Sequence, residues 1–302
     1  MTDRILDFSE EPARLSVKDS LLVIIREDKE PITIPFADIG VLVVSNPQVT
    51  YTQAVLAGLV KRGGAFVACD HRHLPIGMLL PLDAHYIQTE RYALQAAAPL
   101  PLRKRLWREI VRAKVRAQGT LLMEMRGSDE GLLALAVKTR SGDASNIEAQ
   151  ASRRYWPALF GETFRRVREA EDQNRLLNYG YAILRAIVAR AACAAGLHPS
   201  LGLHHHNRYN SFCLADDLME PLRPMVDRAV WQLVQEGGPE TPLGPRTKTV
   251  ILEAVCARVQ VQGESRTLFD AASILAASLV AVFEKKAKCL VLPEPGRAQA
   301  NP

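Results

Sequence analysis

The stretch HHHNRYNSFCLADDLMEP, His204 to Pro221, sets three imidazoles just ahead of three carboxylates, Asp216, Asp217 and Glu220. On a helix Asp217 and Glu220 share a face at i,i+3, and Asp216 and Glu220 share one at i,i+4. Leu214, Leu218, Met219 and Leu222 supply the apolar partners. Imidazole nitrogen and carboxylate oxygen together form a donor set for Mg²⁺, Mn²⁺ or Zn²⁺. Adjacent side chains on an extended segment point to opposite sides, so only one or two of the histidines reach a common ion. Pro221 and Pro224 lack the amide protons that would bond the carbonyls of Asp217 and Glu220. The helix is therefore weakened beside its acids. The competing structural reading is an acidic turn offsetting a helix dipole next to a polar histidine loop.

A metal site of this kind needs a further ligand from elsewhere in the chain. SNIEAQASRRYW offers Glu148, ahead of small residues that let another backbone approach. By itself Glu148 reads as a first-turn helix acid. The segment RKRLWREIVRAKVRAQ carries Arg103, Lys104, Arg105, Arg108, Arg112, Lys114 and Arg116 against the single acid Glu109, with Leu106, Ile110 and Val111 as a narrow apolar stripe. A solvated helix face mixes both signs. One sign at this density suits a surface that tracks phosphates and positions nucleic acid without reading its sequence. In LLNYGYAILRAIVARAACAAG the alanines and Gly180 predict a closely packed central helix. Tyr179 and Tyr181 there fit core packing better than base stacking, and Gly196 is a C-terminal stop.

These segments need elements to hold them. Period-two alternation in ARLSVKDSLLVIIRE and ITIPFADIGVLVVS predicts strands. TYTQAVLAGLVKRGG predicts a helix capped near Thr50 or Thr52 and ended by Gly63, and AFVACD one more strand. HLPIGMLLPLD, with two prolines, leaves the regular pattern. Helical periodicity dominates after about Asp83. The sequence thus predicts an α+β protein, with a small β-rich domain over 1–85 and a larger α-helical domain over 86–302. KTRSGDAS and QEGGPETPLGPRT read as exposed loops, and the tail after Pro293 as disordered. Of the 302 residues 48% are hydrophobic, enough for a full core, and the formal charge is +5, a mild excess compatible with an anionic partner. Five scattered cysteines without a C-x-x-C pair argue against a cysteine zinc site and fit a reducing, cytoplasmic setting. The opening residues MTDRILDFSEEPARL differ from a signal peptide. LFDAASILAASLVAVF is shorter than the ~20 residues of a membrane span, so no membrane role is expected.

IEAQASRRYW, NRLLNYGYAILRA, GLHHHNRYNSF and LADDLMEPLRPMVD, in that order, resemble the CRISPR-associated integrase–endonuclease of spacer acquisition, CRISPR-associated protein one. The resemblance extends over residues ~1–290, and the wording of the histidine-to-proline segment resembles its type II branch, which accompanies single-protein RNA-guided effectors. It implies that Glu148, His205 and Glu220 are catalytic and ligate Mg²⁺ or Mn²⁺, with Asp217 a supporting acid. His205 is the histidine two places before Asn207, and Ala149 stands where relatives often carry glycine. The implied reaction joins short DNA fragments into a CRISPR repeat by phosphodiester transesterification, or runs in reverse or hydrolytically. The implied partners are double-stranded DNA, a second copy through the β-rich domain, and CRISPR-associated protein two in a heterohexamer. A neutral His205 is required, so activity is expected to fall below roughly pH 6.5. The alternatives are a non-catalytic DNA-binding scaffold and a stand-alone nuclease on branched DNA. A zinc hydrolase is disfavoured, because one histidine among carboxylates suits a harder ion.

Overall fold

The computed structural model describes residues 4–70, 74–81, 83–167 and 169–299, with 295–299 as backbone alone. The N-terminal strands are β1 (Arg4–Phe8), β2 (Arg14–Lys18), β3 (Leu21–Ile25), β4 (Ile32–Pro35), β5 (Ile39–Val44) and β6 (Thr50–Tyr51). Then come α1 (Gln53–Lys61), β7 (Ala65–Cys69) and β8 (Pro75–Leu79). The helical part runs through α2 (Gln88–Ala96), α3 (Leu100–Arg126), α4 (Leu132–Val137), α5 (Ile147–Phe160) and α6 (Asn174–Ala194). It continues with α7 (Cys213–Met219), α8 (Arg223–Gly237) and α9 (Pro245–Cys256). A hairpin of β9 (Arg258–Val261) and β10 (Glu264–Thr267), α10 (Leu268–Phe283) and β11 (Glu294–Gln299) complete it. This is the α+β arrangement that the sequence predicts.

One sheet has the order β1-β5-β7-β8, with β1, β5 and β7 parallel and β8 antiparallel. A second has the order β4-β3-β2-β6. Strand alternation divides the first sheet between two cores. Leu42 and Phe66 face Leu15, Leu22 and Ile34 of the second sheet. Val41, Val43, Ala65 and Val67 join the helical core. Burial on both faces explains the near-continuous apolar run of β5. Helix α6 lies at the centre and touches α7, α8, α9, α10, β5 and β7. A Cβ on Gly180 would stand 2.4 Å from Val226 Cγ1 and 2.9 Å from Ile251 Cγ2, so only glycine lets α8 and α9 approach this closely. Tyr179 and Tyr181 are buried, and their hydroxyls donate to Asp7 and Asp227. Thr52 stands at the N-cap position of α1 without a side-chain hydrogen bond to the helix, and Gly63 and Gly196 stand at positive φ just past α1 and α6, as expected.

Several features differ from the sequence reading. Pro75–Leu79, within the stretch read as irregular, is a strand; its proline is tolerated as the first residue of an edge strand. His73 and Leu82 near the ends of that stretch lie outside the described residues. The β9–β10 hairpin turns through Gln262 and Gly263, both at positive φ, which is the tight hairpin turn without its usual Asn-Gly signature. The tail after Pro293, expected to be disordered, forms β11 and pairs with β9 through Glu294 and Gln299; residues 300–302 lie outside the description. Within KTRSGDAS, expected to be exposed, Asp143 is buried because its carboxylate caps a helix. No helix among the described residues is long and apolar enough to cross a membrane.

Candidate metal centre

Glu148 occupies the first turn of α5. Asp143 starts that helix: its Oδ1 accepts from the amide of Ile147 at 2.8 Å and its Oδ2 from the amide of Glu148 at 3.0 Å. The cap pins the backbone of Glu148 and leaves its side chain free to project. That side chain points to α3, where Lys114 Nζ donates to Glu148 Oε1 at 2.7 Å.

Glu220 reaches the same ammonium from the other side. Helix α7 stops at Met219, and Glu220–Leu222 form a 3₁₀ turn that leads into α8. This is the weakening that Pro221 and Pro224 predict. Glu220 is buried, with Oε2 2.5 Å from Lys114 Nζ and Oε1 accepting from Arg223 Nε at 2.9 Å. Burial pushes its carboxyl up, but Arg223 and Lys114 outweigh that and hold it down at about 2. Burial likewise acts against the charge on Lys114, and Glu220 and Glu148 more than restore it. The charged partner of Glu220 Oε2 is thus the Lys114 ammonium, and that of Oε1 the Arg223 guanidinium.

His205 comes from the loop between α6 and α7. Its Nδ1 lies 2.6 Å from Asp217 Oδ1. Asp217 is fully buried and accepts three backbone amides as well: Leu203 at 2.6 Å, His204 at 3.0 Å and His205 at 3.2 Å. The loop wraps one carboxylate, and Gly202 permits it, since a Cβ there would meet the His205 carbonyl oxygen at 2.2 Å. The Asp217 hydrogen bond raises the imidazole above its ordinary value; burial opposes this, and the charges of Asp217, Glu220 and Glu148 reinforce it. With Nδ1 engaged, Nε2 is the nitrogen available to an ion, the usual carboxylate–histidine pattern of metal sites. The His204 ring lies flat on Trp107 of α3, centroids 4.3 Å apart and 1° from parallel, and the His205 ring meets Trp107 edge-on at 5.6 Å. The His206 Nδ1 is engaged with the His204 carbonyl. Asp216 is turned elsewhere: Arg185 binds it through Nε at 2.7 Å and a terminal nitrogen at 3.1 Å, and Asn210 at 2.7 Å.

Glu148 and Glu220 thus meet through one lysine, beside a histidine held by Asp217. Among the described residues no three His, Cys, Asp or Glu side chains are gathered tightly enough to ligate one ion as they stand. The ammonium of Lys114 already fills the gap between the two carboxylates. The donor set nevertheless suits a hard divalent ion: two carboxylates and one imidazole nitrogen, with a cation already standing between the acids.

Of the basic residues on α3, Lys114 is not a surface lysine; its side chain is only 14% exposed. Its position explains this. Lys114 falls at i+7 from Trp107 and i+4 from Ile110, both buried, so it interrupts the apolar stripe rather than the solvent face. A charge inside that stripe was the sequence signal for its role. Arg223, three residues after Glu220, is legible as its i,i+3 partner; Asp143 is not legible, because it acts from outside the helix it caps. Arg103, Arg105, Arg108 and Arg112 are half-buried, and their Nε atoms have no hydrogen-bond partner among the described residues. Lys104 and Arg116 are exposed.

A first sheet shared between two cores, a central helical lobe and two acids joined through a lysine of α3 frame the candidate site. The family model for CRISPR associated protein Cas1 matches residues 8–241. A CRISPR-associated endonuclease Cas1 of Neisseria meningitidis serogroup C is 37% identical over 276 residues, 90% of each chain. Another from Pyrobaculum aerophilum is 28% identical over 239 residues, 74% of this chain and 80% of its own. A casposase bound to integration product has a TM-score of 0.79 at 18% identity, covering 95% of this chain and 92% of that one. A Cas1 protein from Thermotoga maritima has a TM-score of 0.74 at 17% identity, covering 95% and 99%. At these identities the two structures show a shared fold. The chain belongs to the Cas1 family.

Proposed function

We propose that the chain is a metal-dependent DNA endonuclease and integrase of CRISPR adaptation, with Glu148, His205 and Glu220 as ligands of one Mg²⁺ or Mn²⁺ and Asp217 as the acid that orients His205. The observation that carries this reading is the meeting of Glu148 and Glu220 on one cation next to a histidine whose Nδ1 is already taken. Family membership supports it, as does the name endonuclease carried by the 37%-identical relative. A bound divalent ion supplies polarisation of the scissile phosphate and stabilisation of the leaving 3′ oxygen. Within the chain Glu148 and Glu220 provide the negative charge that holds the ion. Asp217 keeps the Nδ1 proton in place, and Arg223 stays on Glu220 and fixes its direction. Arg103, Lys104, Arg105, Arg108, Arg112 and Arg116 lend the phosphate-tracking charge, and Lys114 stands at the metal centre.

Double-stranded DNA is the substrate, as spacer precursor and as repeat. The chain pairs with a second copy through its β-rich part and assembles with CRISPR-associated protein two into a heterohexamer. The likeness to a Cas6-RT-Cas1–Cas2 complex, with a TM-score of 0.76, is compatible with that assembly at the level of fold. The test is joining of a labelled duplex into a repeat-bearing target in Mn²⁺, with and without the small partner. Wild type joins and Glu220→Ala does not. Equal joining by both overturns the catalytic reading in favour of a DNA-binding scaffold. Cutting of branched DNA with no preference for repeat ends favours a stand-alone nuclease.

A further inference from the structure

Lys114 stands between the two carboxylates of the candidate metal centre. Its ammonium is 2.7 Å from Glu148 and 2.5 Å from Glu220, and its stem is buried in α3. Without it, two carboxylates would face each other beside a buried wall and repel. With it, one positive charge offsets both. The same contact obstructs the metal, because a dication between these carboxylates would sit against the ammonium. The two cations therefore compete for one pair of acids.

The two basic partners of Glu220 are not equivalent. Arg223 is locked, its guanidinium 4.5 Å from the centroid of the Tyr181 ring and its Nε hydrogen-bonded to Glu220. Lys114 bridges the two acids, 2.7 Å from Glu148 Oε1 and 2.5 Å from Glu220 Oε2. It is also the flexible one of the pair, a point charge on a four-carbon stem. Among its neighbours on α3 the one acid is Glu109, and that carboxylate already accepts from the amide of Leu290. Glu124, the other acid of α3, is held by Arg228, so both carboxylates of the helix are already engaged. Basic residues outnumber acids on this helix, with Arg103, Lys104, Arg105, Arg108, Arg112 and Arg116 against Glu109 and Glu124, so a phosphate is the anion it is suited to meet.

We propose that Lys114 is a resident counter-ion which holds Glu148 and Glu220 in place of the divalent ion, and which a nucleic-acid phosphate draws off, so that metal and DNA bind cooperatively. This rests on the reading of Glu148 and Glu220 as metal ligands. It makes the metal-free, DNA-free protein a poor metal binder that becomes a good one on its substrate. By reciprocity the ion strengthens DNA binding by the same factor. If the open arrangement is populated to about a tenth, the apparent affinity for the ion is weakened about tenfold.

The probe is Mn²⁺ alone, titrated by calorimetry into wild type, Lys114→Met, and Lys114→Met combined with Glu148→Gln. Lys114→Met binds Mn²⁺ about tenfold or more tightly than wild type, and the double variant loses that gain. Binding to Lys114→Met no tighter than to wild type overturns the counter-ion. Mn²⁺ binding that is indifferent to Glu148→Gln overturns the metal-ligand reading as well, which separates the two failures. Should Lys114→Met not fold, wild type decides alone by amine acetylation read by mass spectrometry. Lys114 is protected without metal and is labelled several-fold more in saturating Mn²⁺; unchanged labelling while Mn²⁺ binds refutes displacement. Anisotropy of a fluorescent duplex tests the coupling: Mn²⁺ tightens DNA binding by wild type, and equal tightening by Lys114→Met contradicts it.

Discussion

Asp217→Asn changes one oxygen to an amide nitrogen and tests how the histidine is held. Asp217 accepts four donors in all, two at each oxygen: the Leu203 and His204 amides at Oδ2, and the His205 amide and Nδ1 at Oδ1. Asparagine has one acceptor oxygen, so in either orientation two donors face an NH₂ group. Each hydrogen bond to a charged acceptor contributes about 1.5–3 kcal/mol, so two lost give roughly 3–6 kcal/mol. Denaturant titration measures this, and the variant's midpoint falls accordingly. The substitution also releases the Nδ1 proton that fixes the tautomer of His205. Loss of such a partner costs about 10–100-fold in metal affinity or activity. The pH profile gives a third readout. Asp217, against the opposing effect of burial, raises His205 above the ordinary imidazole value of 6.5. The ring must be neutral to ligate, so wild-type activity is lost as pH falls through a midpoint above 6.5, higher than the sequence alone suggests. In Asp217→Asn that midpoint moves down. A variant with wild-type stability, metal affinity and acid limb would refute this account of the loop.

Asp227 is buried against Tyr155 and Tyr181, and burial outweighs their hydrogen bonds to lift its carboxyl to about 6 from an ordinary 3.8. The folded protein then binds this proton more tightly than the unfolded chain, so the contribution is complete below about pH 4 and is lost as pH rises through about 6. Asp227→Asn gains on wild type across that window by up to about 3 kcal/mol, read from denaturant midpoints at pH 4 and pH 7. Neutralising Arg108 or Arg112 lowers the slope of log affinity against log salt for duplex DNA by about 1 each, if each contacts a phosphate; an unchanged slope removes that arginine from the DNA surface. Gly180→Ala drives a methyl into Val226 and Ile251 and costs about 1–3 kcal/mol, measured by thermal melting, with joining retained at permissive temperature.

The sequence made the chemistry more legible than its positioning. Glu148, His205, Asp217 and Glu220 are visible as residue types in a recognisable order, and the prolines beside Glu220 announce the break between α7 and α8. The packed α6 was legible from its alanines and Gly180. What stayed hidden depends on partners distant in the chain. Lys114 looks like one more base in a basic helix until its place in the apolar stripe between Trp107 and Leu121 is weighed. Asp143 reads as a loop acid, yet it is buried because the orphan amides of α5 need an acceptor. Strand β8 was hidden by its proline and the β9–β10 hairpin by an unfamiliar turn pair. Sharing of the first sheet between two cores follows from packing on both faces, which an apolar run shows only as length.

The most direct measurement of the central claim is the position of Mn²⁺ in crystals soaked with the ion, located by its anomalous scattering. The account predicts one peak bounded by Glu148, the Nε2 of His205 and Glu220, with the Lys114 ammonium withdrawn from between the acids. A peak away from these three side chains, or Lys114 still bridging both carboxylates in crystals that hold the ion, would contradict it.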